Sequence, residues 1–209
     1  MPNSDKTKAA ILRWVKEKRK EAWAFIQAEK ERRGCERCRR RFPYYVLDLD
    51  HLDPNAKPHS RRRSNGSLAK TKDQAVQLLA ASQVLCAVCH RIKTAQFEDH
   101  LRYQAQPKGK PRKPSICRMR ERRKQAAAGA LAEAKDGPCT DCGERHPAVA
   151  MDFDHVSGEK LLAVSRLKSA SVARVLAELE KCELVCANCH RIRTHMRQFA
   201  ADGRICSEA

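Results

Sequence analysis

The stretch Cys86-Ala-Val-Cys-His-Arg-Ile-Lys-Thr94 decides the organisation of this chain, because it recurs as Cys186-Ala-Asn-Cys-His-Arg-Ile-Arg-Thr194. Upstream of each copy lies another CxxC pair, and between the two pairs Leu47-Asp-Leu-Asp-His51 recurs as Met151-Asp-Phe-Asp-His155. Matching motifs in the same order indicate an internal duplication, with a repeat of about a hundred residues. The sequence therefore predicts two similar modules.

The composition does not fit one large hydrophobic core. The 209 residues contain 43 Lys and Arg against 25 Asp and Glu, which gives a formal net charge of +18. Leu, Ile, Val and Phe together number 38. A chain so poor in large apolar residues needs another source of stability, and its 11 cysteines are the obvious candidate.

The cysteines predict zinc. No apolar run in the sequence is long enough for a signal peptide or a membrane span, so we expect a cytoplasmic protein with reduced thiols. Two CxxC pairs per copy supply four thiolates, which suit one tetrahedral structural zinc ion. A redox CxxC or an iron site are the alternatives, and the repetition favours zinc. The predicted ligands are Cys35, Cys38, Cys86 and Cys89 in copy one, and Cys139, Cys142, Cys186 and Cys189 in copy two.

Sequence patterns predict an α+β module built as strand, helix, strand, helix. In copy two the strands are expected at 148–154 and 183–186, with a helix capped by Ser171 and another over 187–199. Val172, Val175, Leu176 and Leu179 are expected to form the apolar stripe of the Ser171 helix. In copy one the expected elements are strands 45–50 and 83–86 and helices 72–81 and 87–103. Basic helices over 10–33 and 119–135 precede the two copies.

These patterns divide the chain into six parts. The predicted ranges are a basic helix at 1–34, module 1 at 35–103, a basic Pro-rich linker at 104–115, a basic and Ala-rich helix at 116–136, module 2 at 137–200, and a tail at 201–209. Residues 102–124 contain ten Lys or Arg and one Glu. That excess predicts contact with a phosphate backbone, although a solvated helix face is the ordinary explanation of a charge run.

A zinc module alone does not explain the acidic and imidazole groups. Pairing the strands would bring Asp50 and His51 at one strand end close to His90 in the first turn of the following helix, and Asp154, His155 and His190 would meet likewise. Asp50 with His90 would offer an incomplete site for a hard divalent cation, and His51 would be free to take a proton from water. A buried hydrogen-bonded Asp–His couple is the alternative, which the repetition disfavours.

At these residues the chain resembles the HNH nucleases of the ββα-metal fold, in their four-cysteine zinc form found in phages and bacteria. DxDH, then Lys57 or Lys160, then CxxC-His-Arg-Ile-[Lys/Arg]-Thr carry the resemblance, twice over. It implies that Asp50, His90, Asp154 and His190 bind a catalytic cation, Mg²⁺ or Mn²⁺, and that His51 and His155 are general bases. It also implies that Arg91 and Arg191 steady the scissile phosphate, and that Asp48 and Asp152 support the ligands.

The chain departs from the family at one position. The middle asparagine of HNH nucleases is replaced by Ala81 in copy one and by Lys181 in copy two. In the family this residue braces the loop behind the general base, so the substitution bears on how the base is positioned. It removes neither a metal ligand nor the base.

The sequence as a whole predicts a metal-dependent DNA endonuclease with two HNH centres, which acts on double-stranded DNA as a monomeric pseudo-dimer. Copy two matches the family more closely and is expected to be the faster centre. Two alternatives remain open at this point: a catalytically silent tandem zinc-binding protein that binds DNA or RNA, and a basic packaging or scaffold protein of a phage.

Overall fold

The computed structural model describes residues 3–53, 69–96, 114–158 and 170–201. Several predictions lie outside these ranges, among them Lys57, Lys160, linker residues 104–113 and tail residues 202–209. The chain divides into two compact units between His90 and Arg91. In the described residues no helix is both long enough and apolar enough to cross a membrane.

The first unit is built around a small antiparallel hairpin. Its elements are α1 (Asn3–Arg33), β1 (Leu47–His51), α2 (Lys72–Ala80) and β2 (Ser82–Cys86), and α3 (Ala87–Gln96) follows β2 directly. Strand β1 pairs with β2 in a register that sets Leu47 opposite Cys86 and His51 opposite Ser82. The predicted α+β class and the order of elements are confirmed.

The second unit repeats this order. Its elements are α4 (Pro114–Ala134), β3 (Met151–His155), α5 (Val172–Leu179), β4 (Cys182–Cys186) and α6 (Ala187–Ala201). Met151 lies opposite Cys186 and His155 opposite Cys182, the same register as in the first hairpin. Helix α4 begins at Pro114, where the missing N–H of proline has no helical partner to lose.

Each hairpin module carries a small apolar cluster where a long helix packs on a short one. In the first unit Ala22 and Ile26 of α1 pack against Ala75 and Leu79 of α2. In the second, Ala127 of α4 packs against Val175 of α5. Such small clusters fit the low apolar content and leave the cysteine clusters as the other buried centres.

The long basic helix of the first unit ends at a glycine. Gly34 follows α1 at φ +65°, and its N–H bonds the Lys30 carbonyl at 2.9 Å. A Cβ at this position would lie 3.1 Å from the Arg40 carbonyl oxygen. Beside this turn, the Arg33 guanidinium donates to the carbonyls of Leu79 and Ser82, both at 3.0 Å. The end of α1 is therefore fastened to the loop between α2 and β2.

Three local predictions for module 2 need correction. Residues 148–150 form a 3₁₀ turn rather than the start of the strand. Ser171 precedes α5 without a side-chain capping bond, whereas Thr71 accepts from the Gln74 N–H at the matching position before α2. Val172 and Leu176 are exposed. Glu178, which is not part of the predicted stripe, is buried, and its carboxylate has partners inside the module.

Candidate metal centres

Both predicted four-cysteine sets are assembled in the structure. Within each set the four sulfur atoms all lie within 4.8 Å of one another. A tetrahedron with zinc–sulfur bonds of about 2.3 Å has sulfur atoms about 3.8 Å apart, so only small movements would close either set around an ion. These two clusters could each hold a structural zinc ion. The members are Cys35, Cys38, Cys86 and Cys89 in module 1, and Cys139, Cys142, Cys186 and Cys189 in module 2.

The backbone shapes the first CxxC pair of each set in the same way. The N–H of Cys35 bonds the Arg40 carbonyl, and the N–H of Arg39 bonds the Cys35 carbonyl. In module 2 the N–H of Cys139 bonds the Glu144 carbonyl, and that of Gly143 bonds the Cys139 carbonyl. This tight turn needs a left-handed residue, which is Arg39 at φ 62° in module 1 and Gly143 at φ 71° in module 2.

Clustering changes the acidity of the thiols. In module 1 the hydrogen bond from the Cys86 thiol lowers the pKa of Cys35 to about 4, while burial raises the pKa of Cys89 to about 12. In module 2 burial raises the pKa of Cys186 to about 11. Thiolates packed this closely repel one another, so the full set ionises only when a cation balances it.

A second group of side chains meets on the other face of each hairpin. In module 1 the His90 Nδ1 lies 2.9 Å from Asp48 Oδ2, and its Nε2 lies 3.6 Å from Asp50 Oδ1. Asp50 is only 4% exposed, and Gln83 donates to its Oδ2 at 3.0 Å. The strand alternation brings the two aspartates to the same face, and the abrupt start of α3 after β2 places His90 over them.

Module 2 repeats the group nearly atom for atom. His190 Nδ1 lies 3.0 Å from Asp152 Oδ2, and its Nε2 lies 3.7 Å from Asp154 Oδ1. Asp154 is also 4% exposed. Burial raises the pKa of Asp152, but hydrogen bonds, that from His190 first among them, outweigh burial and hold the pKa below its usual range.

The donor set fits a divalent cation. Two ligand bonds of about 2.1 Å that meet at about 90–120° separate their ligand atoms by about 3.0–3.6 Å. The Nε2–Oδ1 separation of 3.6 Å in module 1 is at the wide end of that range, and that of 3.7 Å in module 2 lies just beyond it. With Nδ1–H donated to the first aspartate, Nε2 carries the lone pair that faces the second aspartate. Asp48 and Asp152 thus hold the imidazoles in the orientation that a metal ligand needs.

The predicted general bases lie on the opposite face of the strand. His51 follows Asp50 directly, so the pleat directs its side chain away from the Asp50–His90 pair, and among the described residues it has no hydrogen-bond partner. In module 2 the His155 Nε2 lies 2.8 Å from Glu178 Oε1 of α5. The structure therefore brings the residues predicted to bind a cation together and places each predicted base one residue away, at the strand end.

A buried glutamate orients His155. Glu178 is 4% exposed, and Lys181 donates to its second carboxylate oxygen at 3.1 Å. If Nε2–H donates to Glu178, Nδ1 is the basic nitrogen of a neutral His155. One nitrogen of this imidazole thus has a carboxylate partner, and its assignment as a general base remains a prediction.

Main-chain hydrogen bonds fasten the position at which HNH nucleases carry their middle asparagine. The Ala81 carbonyl accepts from the N–H of Leu52, and the Lys181 carbonyl accepts from the N–H of Val156, both at 3.0 Å. Each bond fastens the residue that follows the base histidine. In module 2 the Lys181 side chain adds the contact with Glu178. Bracing of the strand end is thus retained without an asparagine side chain.

The arginines predicted to bind phosphate lie next to the two histidines of the Asp–His groups. Arg91 follows His90 on α3 and Arg191 follows His190 on α6, and both are half-buried. Their role in binding the phosphate remains a prediction.

Two other arginines, for which no role was predicted, contact Asp154. Arg193 Nη1 donates to Asp154 Oδ2 at 3.0 Å, and Arg197 donates to Oδ1 at 2.8 Å and to Oδ2 at 2.6 Å. Arg193 is itself held by Asp141, inside the first CxxC of module 2, and by Glu183. Burial raises the pKa of Asp154, but its bonds with Arg197 and Arg193 outweigh burial and lower that pKa. The signal in the sequence was the i, i+4 spacing of Arg193 and Arg197 on α6, one turn beyond His190.

Module 2 also has a smaller group beside its cysteine cluster. Glu144 and His146 each offer a ligand atom within 4.8 Å of the Cys142 sulfur, and the His146 Nε2 lies 3.5 Å from Glu144 Oε2. The sequence analysis had assigned no chemistry to His146. Because Cys142 already belongs to the four-cysteine set, this group is an extension of that cluster.

No protein-family model, no curated protein and no solved structure matches this chain.

Proposed function

We propose that the protein is a metal-dependent DNA endonuclease built from two HNH-type modules. The observation that carries the proposal is the imidazole held between two aspartates, His90 between Asp48 and Asp50, with the same arrangement at His190. One nitrogen is fixed by a hydrogen bond and the other faces a buried carboxylate. That is the arrangement of a metal ligand with its supporting carboxylate.

A purely structural zinc protein has no use for this arrangement. The cysteine clusters and the Asp–His groups lie on different faces of the hairpins, so the Asp–His groups are not part of the zinc sites. The same arrangement of a histidine beside an aspartate that is only 4% exposed recurs in both modules. Carboxylate and imidazole ligands with room for water and phosphate oxygens favour a catalytic cation, Mg²⁺ or Mn²⁺.

Each group has a distinct part in phosphodiester hydrolysis. Asp50 and His90 would hold the cation in module 1, and Asp154 and His190 in module 2. A cation bound there would stabilise the charge that develops on the phosphate and on the leaving oxygen. His51 and His155 would take the proton from the attacking water, His155 through Nδ1 while Glu178 fixes Nε2. Because base and ligands lie on opposite faces, the phosphate would sit at the strand end.

DNA is the substrate that the charge distribution favours. Helix α4 exposes Arg118, Arg120, Arg122 and Arg123 in its first half, and the chain as a whole carries a net charge of +18. Such basic helices bind the phosphate backbone without reading sequence. Arg91 and Arg191, next to the cation ligands, would contact the scissile phosphate.

One observation favours the second candidate function, a catalytically silent zinc-binding protein that binds DNA or RNA. Asp154 is already neutralised by Arg193 and Arg197, which is how a buried carboxylate is satisfied without a metal.

Cleavage of supercoiled plasmid distinguishes the endonuclease from the silent binding protein. We expect the zinc-loaded protein to nick or linearise plasmid with Mg²⁺ or Mn²⁺. A treatment with EDTA that is too short to remove zinc should stop this cleavage. Zinc content should be measured in the same sample, so that loss of fold is not mistaken for loss of catalysis. Retarded migration of plasmid without strand breaks, at any divalent cation concentration, would favour the silent binding protein.

A further inference from the structure

Ser82, the first residue of β2, carries a buried hydroxyl without a partner. The residue is 2% exposed, and its Oγ forms no hydrogen bond. Within the ranges that the structure describes, this Oγ is the one buried side-chain nitrogen or oxygen atom in that condition. A buried hydroxyl with no partner has lost the hydrogen bonds that water would give it, so it calls for a structural or functional reason.

The predicted base of module 1 lies directly across the hairpin from this hydroxyl. The register sets His51 opposite Ser82, and the Leu52 N–H bonds the Ala81 carbonyl at the neighbouring position. His51 and Ser82 therefore form a non-hydrogen-bonded pair, in which the Cα atoms are about 4.5 Å apart and the two side chains share one face. Within the described ranges the half-buried His51 imidazole has no hydrogen-bond partner either. Rotation about the Cα–Cβ bonds suffices to bring the two groups together.

In module 2 the matching imidazole is oriented by a residue of the short helix. Glu178 Oε1 lies 2.8 Å from His155 Nε2, whereas the residue at this position in module 1 is Leu78, which has no polar side-chain atom. The residue opposite His155 is Cys182, whose Sγ donates to the main-chain carbonyl of Glu178 at 3.3 Å. Module 1 thus lacks the carboxylate of module 2 and has a hydroxyl on the opposing strand instead.

We propose that Ser82 is the positioning residue of His51 and fixes its imidazole in one tautomer. This inference rests on the proposed function. One imidazole nitrogen donates its hydrogen to Ser82 Oγ, which leaves the lone pair of the other nitrogen to take a proton from the attacking water. That proton stays on the second nitrogen, and the Ser82 hydroxyl keeps its own hydrogen. Without the hydroxyl both tautomers are populated, and only one of them presents its lone pair to the water.

Plasmid nicking by the zinc-loaded His155→Ala protein, in which module 1 is the working centre, tests this role. We expect Ser82→Ala to lower kcat about tenfold with KM unchanged, because one orienting hydrogen bond is lost. Ser82→Thr keeps the hydroxyl on a residue that strands favour and should restore most of the rate. The matched control is Cys182→Ala in the His51→Ala protein, where Glu178 orients the base, and it should nick at the rate of its parent.

A second measurement tests the same hydrogen bond without DNA. Nitrogen-15 NMR distinguishes the two tautomers of a neutral imidazole, and the signals of His51 are those that His51→Ala removes. At about pH 8.5, where an ordinary histidine is neutral, we expect one tautomer in the zinc-loaded wild type and a mixture in Ser82→Ala. Ser82→Cys, which installs the module 2 residue and a weakly bonding thiol, is the second variant if Ser82→Ala loses zinc, and it should give the same mixture.

Three results would overturn the inference in proteins that retain two zinc ions. They are nicking by Ser82→Ala at the rate of its parent, equally slow nicking by Ser82→Ala and Ser82→Thr, and the same tautomer mixture of His51 with and without the hydroxyl. The last result is expected if a water molecule, rather than His51, satisfies Ser82 Oγ. Absence of strand breaks in every form would overturn the proposed function instead, and the NMR comparison would still decide whether Ser82 orients His51.

Discussion

Modules 1 and 2 share a scaffold and differ in the charges placed upon it. Hairpin register, cysteine geometry and the Asp–His–Asp arrangement agree closely between them. Six positions around these shared features carry different residues in the two modules. The module 1 residue and its module 2 counterpart are Arg37 and Asp141, Leu78 and Glu178, Ala81 and Lys181, Gln83 and Glu183, Lys93 and Arg193, and Phe97 and Arg197. The two modules thus keep the same cysteine geometry and strand pairing, whereas the charged residues next to the proposed cation site differ between them.

The largest effect should come from breaking one cysteine cluster at a time. We expect Cys86→Ser to unfold module 1 and Cys186→Ser to unfold module 2, because apolar burial is slight and structural zinc contributes about 10–16 kcal/mol in small domains. Each variant should retain one zinc ion by metal analysis and lose the amide-exchange protection of only the damaged module. Retention of two zinc ions and full protection in either variant would show that the cluster does not hold the module together.

The next effect concerns the general bases. His51→Ala and His155→Ala should each leave an enzyme that nicks supercoiled plasmid, and the double variant should cut neither strand. The sequence favours module 2 as the faster centre, but the arginines on Asp154 favour the opposite order at limiting cation. The His51→Ala protein, which relies on module 2, should therefore need more Mn²⁺ for half-maximal nicking than His155→Ala.

Two outcomes with the histidine variants would contradict this prediction. If either single variant linearised plasmid at the wild-type rate, or if one alone abolished all nicking, two independent centres would be excluded. Zinc content equal to that of the wild type is the required control in each case.

A smaller effect is expected from the aspartates that orient the ligand histidines. Asp48→Asn should weaken Mn²⁺ binding in module 1 by on the order of ten- to a hundredfold, because His90 Nδ1 loses its carboxylate partner at 2.9 Å. Equilibrium Mn²⁺ titration measures the change. Asp136→Asn, at a side chain 87% exposed, is the control and should leave the affinity unaltered. Equal affinities in the two variants would assign Asp48 no part in the cation site.

Much of this architecture could be predicted from sequence. The duplicated CxxC pairs identified both clusters, and strand alternation with the start of α3 and α6 located His90 and His190 over the aspartates. The Glu178–His155 contact could not be predicted from the sequence, because a glutamate on an apolar helix face ordinarily points to solvent. Arg193 and Arg197 resembled any basic helix surface, and only the folded hairpin shows that Asp154 lies within their reach.

The smallest expected effect concerns the left-handed residue in the turn of the first CxxC pair, which differs between the two modules. Arg39 is left-handed at φ 62°, where an ordinary side chain costs about 1–2 kcal/mol relative to glycine, and the matching residue of module 2 is Gly143. Arg39→Gly should stabilise module 1 by about 1 kcal/mol, which denaturant unfolding of the zinc-loaded chain detects. Gly143→Arg should destabilise module 2 by a similar amount. Opposite signs would contradict the strain assigned to this turn.

The most direct test of the central claim is plasmid cleavage by the variant that carries both Asp50→Asn and Asp154→Asn. Both carboxylates belong to the proposed cation sites and neither belongs to a cysteine cluster, so the protein should keep two zinc ions and its affinity for DNA. We predict that this variant makes no strand break with Mg²⁺ or Mn²⁺ under conditions in which the wild type nicks. Cleavage at the wild-type rate by the zinc-loaded double variant would contradict the account.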